Sequence, residues 1–479
     1  MSRIKQPTIL IGIISLIVVL TVAVFQNRII DFIHPLRIKN VDLIHLPGNR
    51  LRFKFRVTTS RNCSAVIKYW AANSKDTLYT AVSKDATRHT LWIVNTTART
   101  NYTFQVIAFN ASQKAFSKTH QFKTMPIYQA TPYFNLEYVD KAFEKEMNGK
   151  FFLTQILTEP GSAVIIDGKG NIVWYEAFRK GVKVSHWTSD KTILCIVGAE
   201  KIPSSGGDEI VESDLSGKVH THFQVGKGEM DKMVHHEVRK DEQGNIYSLT
   251  FDKKVFDLSS VGGSRQDTVH GDGIVVFNKR GHKLWEWSML DHLDPLSDPQ
   301  ILKHKKDWVH ANSVFKQKDG NFLISFRDLN QVWNVDYKTG RVIWKFGDKG
   351  DFDFNQSDHF SSQHAVYITQ NNELMLLDNG TKNGITRAMA FQLDTVRHKA
   401  YTKLNIALPR DYYTTVKGNA WQFDSNKVLL CVTDPRALFI TDTVGKVLWK
   451  IQVDGDPYRI EETYNFLYQK PDFNTVAGQ

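Results

Sequence analysis

The chain has 479 residues, 42% hydrophobic and 23% charged, an ordinary globular composition with length for two or three domains. Its net charge of +11 invites an anionic partner, but the lysines are scattered and no basic-aromatic stripe appears, which argues against nucleic acid. The cysteines Cys63, Cys195 and Cys431 are odd in number and match no metal or redox spacing, so disulfides do not organise the fold; Cys195 and Cys431, in the runs TILC and VLLC, read as small buried hydrophobes.

The first element is the uncharged apolar run Thr8 to Phe25, preceded by Arg3 and Lys5. At about 1.5 Å per residue it is just long enough to cross a bilayer core. With no convincing small-residue cleavage site after it, residues 1–36 are expected to be an uncleaved membrane anchor with the bulk of the chain exported, on the periplasmic or extracellular side. A signal peptide is the alternative.

Residues 37–126 show strand alternation with a turn every 8 to 12 residues, the spacing of a β-sandwich. The stretch NYTFQVIAFNASQ around Tyr102 places Phe104, Val106 and Ala108 on one face of a strand. It resembles the penultimate strand of fibronectin type III domains, so a small fibronectin-III or Ig-like accessory domain is expected here.

From residue 133 to 479 the chain repeats itself. An Asp, a Gly shortly after it and, four residues after the Gly, a Trp recur at Asp167/Gly170/Trp174, Asn278/Gly281/Trp285, Asp336/Gly340/Trp344 and Asp442/Gly445/Trp449. Degraded copies stand at Asp214/Gly217/Thr221 and Asp394/Arg397/Tyr401. Six copies 47 to 64 residues apart, each with four short strands, predict an all-β chain dominated by a six-bladed β-propeller. The Asp and Gly make the turn into the last strand of a blade, and the indole packs between neighbouring sheets. One unit reads complete: strands His310–Lys316, Phe322–Asp328, Val332–Asp336 and Val342–Phe346. Insertions at 201–208, 257–272, 290–306 and 347–362 are long enough to act as lids.

Aligning the blades on Val238, Val314 and Val366 brings the following turns into step and puts His236, Asn312 and His364 two residues earlier, with His186 at the same register in the second blade. By the period of two, His310 shares a side with Asn312, while His235 faces away unless a bulge exchanges it with His236. Innermost strands line a propeller's channel, so imidazoles from separate repeats should meet at one mouth. Packing alone does not explain that convergence, because a buried polar group costs roughly 1–3 kcal/mol unless partnered. Arg327 either pairs with Asp328 or reaches the same mouth, where a guanidinium grips two oxygens of an oxyanion.

The ordered pieces VHHEV (234–238), DWVHANSV (307–314), SFRDLNQV (325–332), GRVIWKFG (340–347), FSSQHAVYI (360–368) and LDNG (377–380) resemble the bacterial arylsulfate sulfotransferases that do not use phosphoadenosine phosphosulfate. The resemblance implies a channel that binds an aryl sulfate, with His364 as the nucleophile that becomes a sulfohistidine. It implies that Arg327 and His310 hold the sulfuryl oxygens and that His236 is the remaining catalytic histidine. His235, Asn312 and His186 are then expected to contact substrate. The partners are a small aryl sulfate donor and a phenolic acceptor, and no cofactor is implied, in keeping with the lack of a Walker-type phosphate loop. The oligomeric state stays open, a homodimer included. Three other readings compete: a zinc site on the histidines, a quinoprotein-like dehydrogenase, and a membrane-anchored binding platform without catalysis.

Overall fold

The computed structural model describes residues 33–473, apart from 45, 47–48, 128–131, 158–160, 200 and 203–204. The run Thr8 to Phe25, and with it the expected anchor, lies outside the described residues; among those described, no helix is long and apolar enough to cross a membrane. The chain divides into two compact units, Met1–Ile127 with Leu467–Gln479, and Tyr128–Phe466. Residues 467–473, which the sequence reading assigns to the propeller, group with the first unit, where the Phe473 ring meets Phe109 edge to face at 5.1 Å.

The first unit is built on one 19-residue strand, Phe53–Ala71. Its first half pairs with Ile38–Ile44 and Ser83–Ile93, its second half with Asn101–Phe109, and the register breaks between Thr58 and Ala65. Phe104, Val106 and Ala108 are all buried, but the alternation holds only as far as Val106, because Ile107 and Phe109 on the opposite face are buried as well. The Tyr102 hydroxyl accepts the Thr97 amide proton at 2.9 Å.

The second unit is a six-bladed β-propeller, all of whose blades are antiparallel. The first strands of the four-stranded repeat in blades 2 to 6 are Val182–Trp187, Val234–Lys240, Ala311–Lys316, His364–Ile368 and Asn419–Asp424, and in blade 3 the two-residue strand Gly206–Gly207 pairs on the inner side of Val234 and His235. Blade 1 departs from the repeat order. Its innermost strand is Pro457–Glu462, from the far end of the chain, while Phe134–Val139 adds a fifth strand to blade 6. Exchanging a strand in each direction closes the ring with backbone hydrogen bonds and gives Phe151–Ile156 a partner on its inner side.

The repeat signature does what its residue types suggest. Gly170, Gly217, Gly281, Gly340 and Gly445 all have positive φ and return their amide to the turn's Asp or Asn carbonyl. The buried Trp174 indole donates to Leu215 in the next blade at 2.9 Å, and Trp449 donates to Gly168 across the closure between blades 6 and 1 at 2.7 Å. Each large ring thus buries its apolar body between sheets and still satisfies its one donor. Cys195 and Cys431 are free and fully buried, as their runs suggest.

The innermost strands are not regular where they begin. Register shifts fall at the start of the inner strands of blades 1 to 5, between Pro457 and Ile460, Val182 and Val184, His235 and Val238, Ala311 and Ser313, and His364 and Tyr367. His236, Val309, His310 and Ala365 all carry positive φ there. A left-handed backbone is costly for a β-branched residue such as Val309, and repeated bulges at one mouth re-aim side chains in a way a plain ladder cannot.

Candidate active site

His364 opens the inner strand of blade 5 and is 3% exposed. Its Nδ1 lies 2.8 Å from the Gly418 carbonyl, which can only accept, so the proton sits on Nδ1 and the lone pair on Nε2. The carbonyl can approach because position 418 is glycine. There φ is +80°, and a Cβ would lie 2.4 Å from the Cys431 carbonyl oxygen. Burial, followed by the charge of Arg459, holds the His364 imidazolium well below its ordinary range, so the ring is neutral. Tyr458 packs against it edge to face at 5.6 Å.

His310 is the electrostatic opposite. Burial disfavours its charge, but the hydrogen bond from Nδ1 to Asp307 at 2.8 Å and the nearby carboxylates of Asp307, Asp272 and Asp328 outweigh it and raise the pKa. Its ring stands 4.9 Å from that of His236, nearly perpendicular. His236 lies 6.4 Å from His364, and burial followed by the charges of His235, His310, His364 and Arg459 pulls its pKa well down.

Arg327 donates Nη1 to Asp328 at 2.8 Å, so the plain ion pair exists. The same side chain lines the cavity, and its buried Nε has no partner. Its amide donates to the His310 carbonyl at 3.0 Å, which fixes the two residues together.

These groups line a cavity of about 400 Å³, walled on its apolar side by Phe251 and Val416. His235 lines it too, because the bulge at His236 brings neighbouring rings into one chamber, and regular alternation does not hold there. Three of the four insertions supply lining: Ser205, the stretch His270 to Asp272, and Lys306. The fourth instead packs Phe352 and Phe360 into the core between blades 4 and 5.

Two expected contacts are placed elsewhere. Asn312 is fully buried and donates Nδ2 to the Gln363 carbonyl at 2.7 Å, a strut between blades 4 and 5; the bulge at Ala311/Ser313 breaks the period of two that put it beside His310. His186 lies in a separate compartment of the channel, 2.9 Å from Glu461. Sequence reasoning missed Tyr458 and Arg459, which underlie the histidines. They arrive on the closing strand, outside the repeat pattern, although the run PYRIEE beginning eight residues after Trp449 is a strand signal. Among the described residues no three histidine, cysteine or carboxylate groups are arranged to hold a metal ion.

A six-bladed propeller with imidazoles and a guanidinium converging on one chamber defines a class of channel-mouth sites suited to anionic ligands. The model of the arylsulfotransferase family (ASST) matches residues 136–402, more than half of the chain, and the protein belongs to that family. The match stops short of blade 6 and the closing strand, so Gly418, Tyr458 and Arg459 lie beyond it. No curated protein matches the chain. Among solved structures, a protein of unknown function from Bacteroides caccae is similar at 11% identity and a TM-score of 0.44, covering 66% of this chain and 99% of that one. A virginiamycin B lyase from Staphylococcus aureus is similar at 10% identity and a TM-score of 0.32, covering 67% and 99%. At those values neither adds to the reading of the site.

Proposed function

We propose that the protein moves a sulfuryl group from an aryl sulfate to a phenolic acceptor through a sulfohistidine at His364. The observation that carries this reading is the hydrogen bond from His364 Nδ1 to the Gly418 carbonyl, which leaves Nε2 as a lone pair on a ring kept neutral. In the first half-reaction Nε2 attacks sulfur, the bond from sulfur to the aryl oxygen breaks, and the electron pair leaves with that oxygen. His310, charged through Asp307, protonates the leaving phenolate, a contribution of about 10² to 10⁴ in rate. The Arg327 guanidinium in the chamber wall is the donor for a sulfuryl oxygen as charge builds, and the Gly418 carbonyl steadies the ring as it becomes cationic. The apolar wall at Phe251 and Val416 suits an aromatic ring. Splitting the transfer lets one chamber serve donor and acceptor in turn.

We further read the first unit as a fibronectin-type sandwich, supported by the Tyr102 hydroxyl bound back to the Thr97 amide, and the propeller as exported behind an N-terminal anchor. The deciding experiment for the transfer is the intact mass of the protein after brief incubation with nitrophenyl sulfate, with peptide mapping kept at neutral or alkaline pH. One sulfuryl group on the peptide containing His364, with an equal amount of nitrophenol, is the expected result. No adduct and no phenol from a range of aryl sulfates would end the reading.

A further inference from the structure

The chamber holds one more linked set of buried groups than the transfer uses. Asp272, on the third strand of blade 3, is 3% exposed, and its Oδ2 accepts the Ala311 amide at 2.7 Å, immediately after His310. Its Oδ1 lies 3.2 Å from His235 Nε2. His235 is 1% exposed, with its ring against Phe251 at 4.1 Å, and its Nδ1 lies 2.7 Å from Nδ1 of His236. The three side chains run in sequence from a carboxylate to the cavity, with a close hydrogen-bonded contact between the two imidazoles and an approach within ion-pair range, off the N–H axis, between Asp272 and His235.

The protons along that line can be assigned in order. A lone pair on His235 Nε2 would face a carboxylate and be repelled, so a ring that carries one proton holds it there, although Asp272 lies off the axis of that N–H. Nδ1 of His235 is then an acceptor. The contact between the two Nδ1 atoms needs one donor, and only His236 can supply it. His236 therefore carries its proton on Nδ1 and keeps a lone pair on Nε2, in the chamber and 6.4 Å, ring to ring, from His364.

We propose that Asp272 and His235 are positioning residues that set the tautomer of His236, making its Nε2 the base that takes the proton from the acceptor phenol. The inference rests on the sulfuryl-transfer reading and concerns its second half. The acceptor O–H gives its proton to His236 Nε2, the phenol oxygen bonds to sulfur, and the bond from sulfur to His364 Nε2 breaks with its electron pair returning to that nitrogen. His310 has lost one proton in the first half and His236 gains one in the second, so exchange with solvent resets the pair without any further reactant.

The test separates the halves. Rapid mixing with nitrophenyl sulfate reads the first half as a burst of nitrophenol, and turnover with added acceptor reads the second. His235→Phe fills the ring's space but offers His236 no acceptor. Because His235 also lines the chamber, the variant's burst can slow, but turnover with a phenol of pKa about 10 should fall about 10²-fold further than the burst rate, while turnover with a phenol already ionised at pH 7 falls no further than the burst. His235→Gln, whose amide oxygen can accept from His236 Nδ1, should restore most of the loss. Asp272→Asn keeps an acceptor for the Ala311 amide and should fall between the two. Equal loss of burst and turnover, or equal loss with both acceptors, would overturn the relay. A wild-type protein that shows no burst would overturn the transfer reading beneath it.

Discussion

The channel contains two compartments that share a residue vocabulary and differ in how it is used. The chamber at the mouth holds His236, His310, His364 and Arg327 around about 400 Å³. The compartment lined by His186, Glu237, Arg239, Arg459 and Glu461 has about 20 Å³, room for roughly one water. In the small compartment each ionisable side chain has a partner: His186 with Glu461 at 2.9 Å, Arg239 with Glu237 at 3.1 Å, and Arg459 with the other oxygen of Glu237. An arginine Nε without a partner occurs in both, Arg459 in the small compartment and Arg327 in the chamber, but only in the chamber do imidazoles, His364 and His236, keep a nitrogen free beside open volume. Buried ionisable groups do not in themselves mark a reactive site. Unspent hydrogen-bonding capacity next to open volume does, because only there can a substrate be the missing partner.

The sharpest way to break the contrast is at the nucleophile. His364→Ala should abolish the covalent adduct and lower turnover by on the order of 10⁴-fold or more, read by intact mass and phenol release. Survival of the adduct on another peptide would place the nucleophile elsewhere. Arg327→Met should cost about 10² to 10³ in turnover, with Arg327→Lys recovering little, since one point charge does not replace a planar fork.

The opposite pKa shifts of the two histidines predict the pH profile of the burst. His364 must be neutral and its pKa is lowered, so the acid limb should fall well below pH 6.5; His310 must be protonated and its pKa is raised, so the alkaline limb should fall above pH 6.5. A burst rate already declining between pH 7 and 6 would contradict the buried, neutral His364. The smallest effect on transfer belongs to the other compartment. His186→Asn should leave burst and turnover within about threefold of wild type while lowering stability by about 1–2 kcal/mol, read by thermal or denaturant unfolding, because it removes half of a partly buried pair.

What could be read from residues alone divides along a physical line. The complete blade at 310–346 was legible because its short apolar runs are separated by clear turn signals: the observed strands Ala311–Lys316, Phe322–Phe326, Gln331–Val335 and Val342–Gly347 sit within a residue or two of the reading. The candidate histidines were visible as a register shared by separate repeats, and His236, His310 and His364 do line one chamber. The same periodicity failed for Asn312 and for the separation of His235 from His236, since a bulge with positive φ has no signature in a pattern of apolar residues. His186 does not keep the register read for it: it stands two residues before the turn that starts at Thr188, whereas His236, Asn312 and His364 stand five before the turns at Asp241, Gln317 and Thr369, so it lies further along its strand and in a different compartment.

The sequence by itself determined the number of blades, the turns that end them and the residue types at the mouth, since these depend on local spacing and on chemistry each segment carries. Tertiary structure decided the rest: that the chain's last strand completes its first blade, that Gly418 from blade 6 sets the tautomer of His364 in blade 5, and that Asp272 reaches His235. Each of these joins residues tens to hundreds of positions apart. Closing the ring brings them together, and nothing in their local sequence requires it.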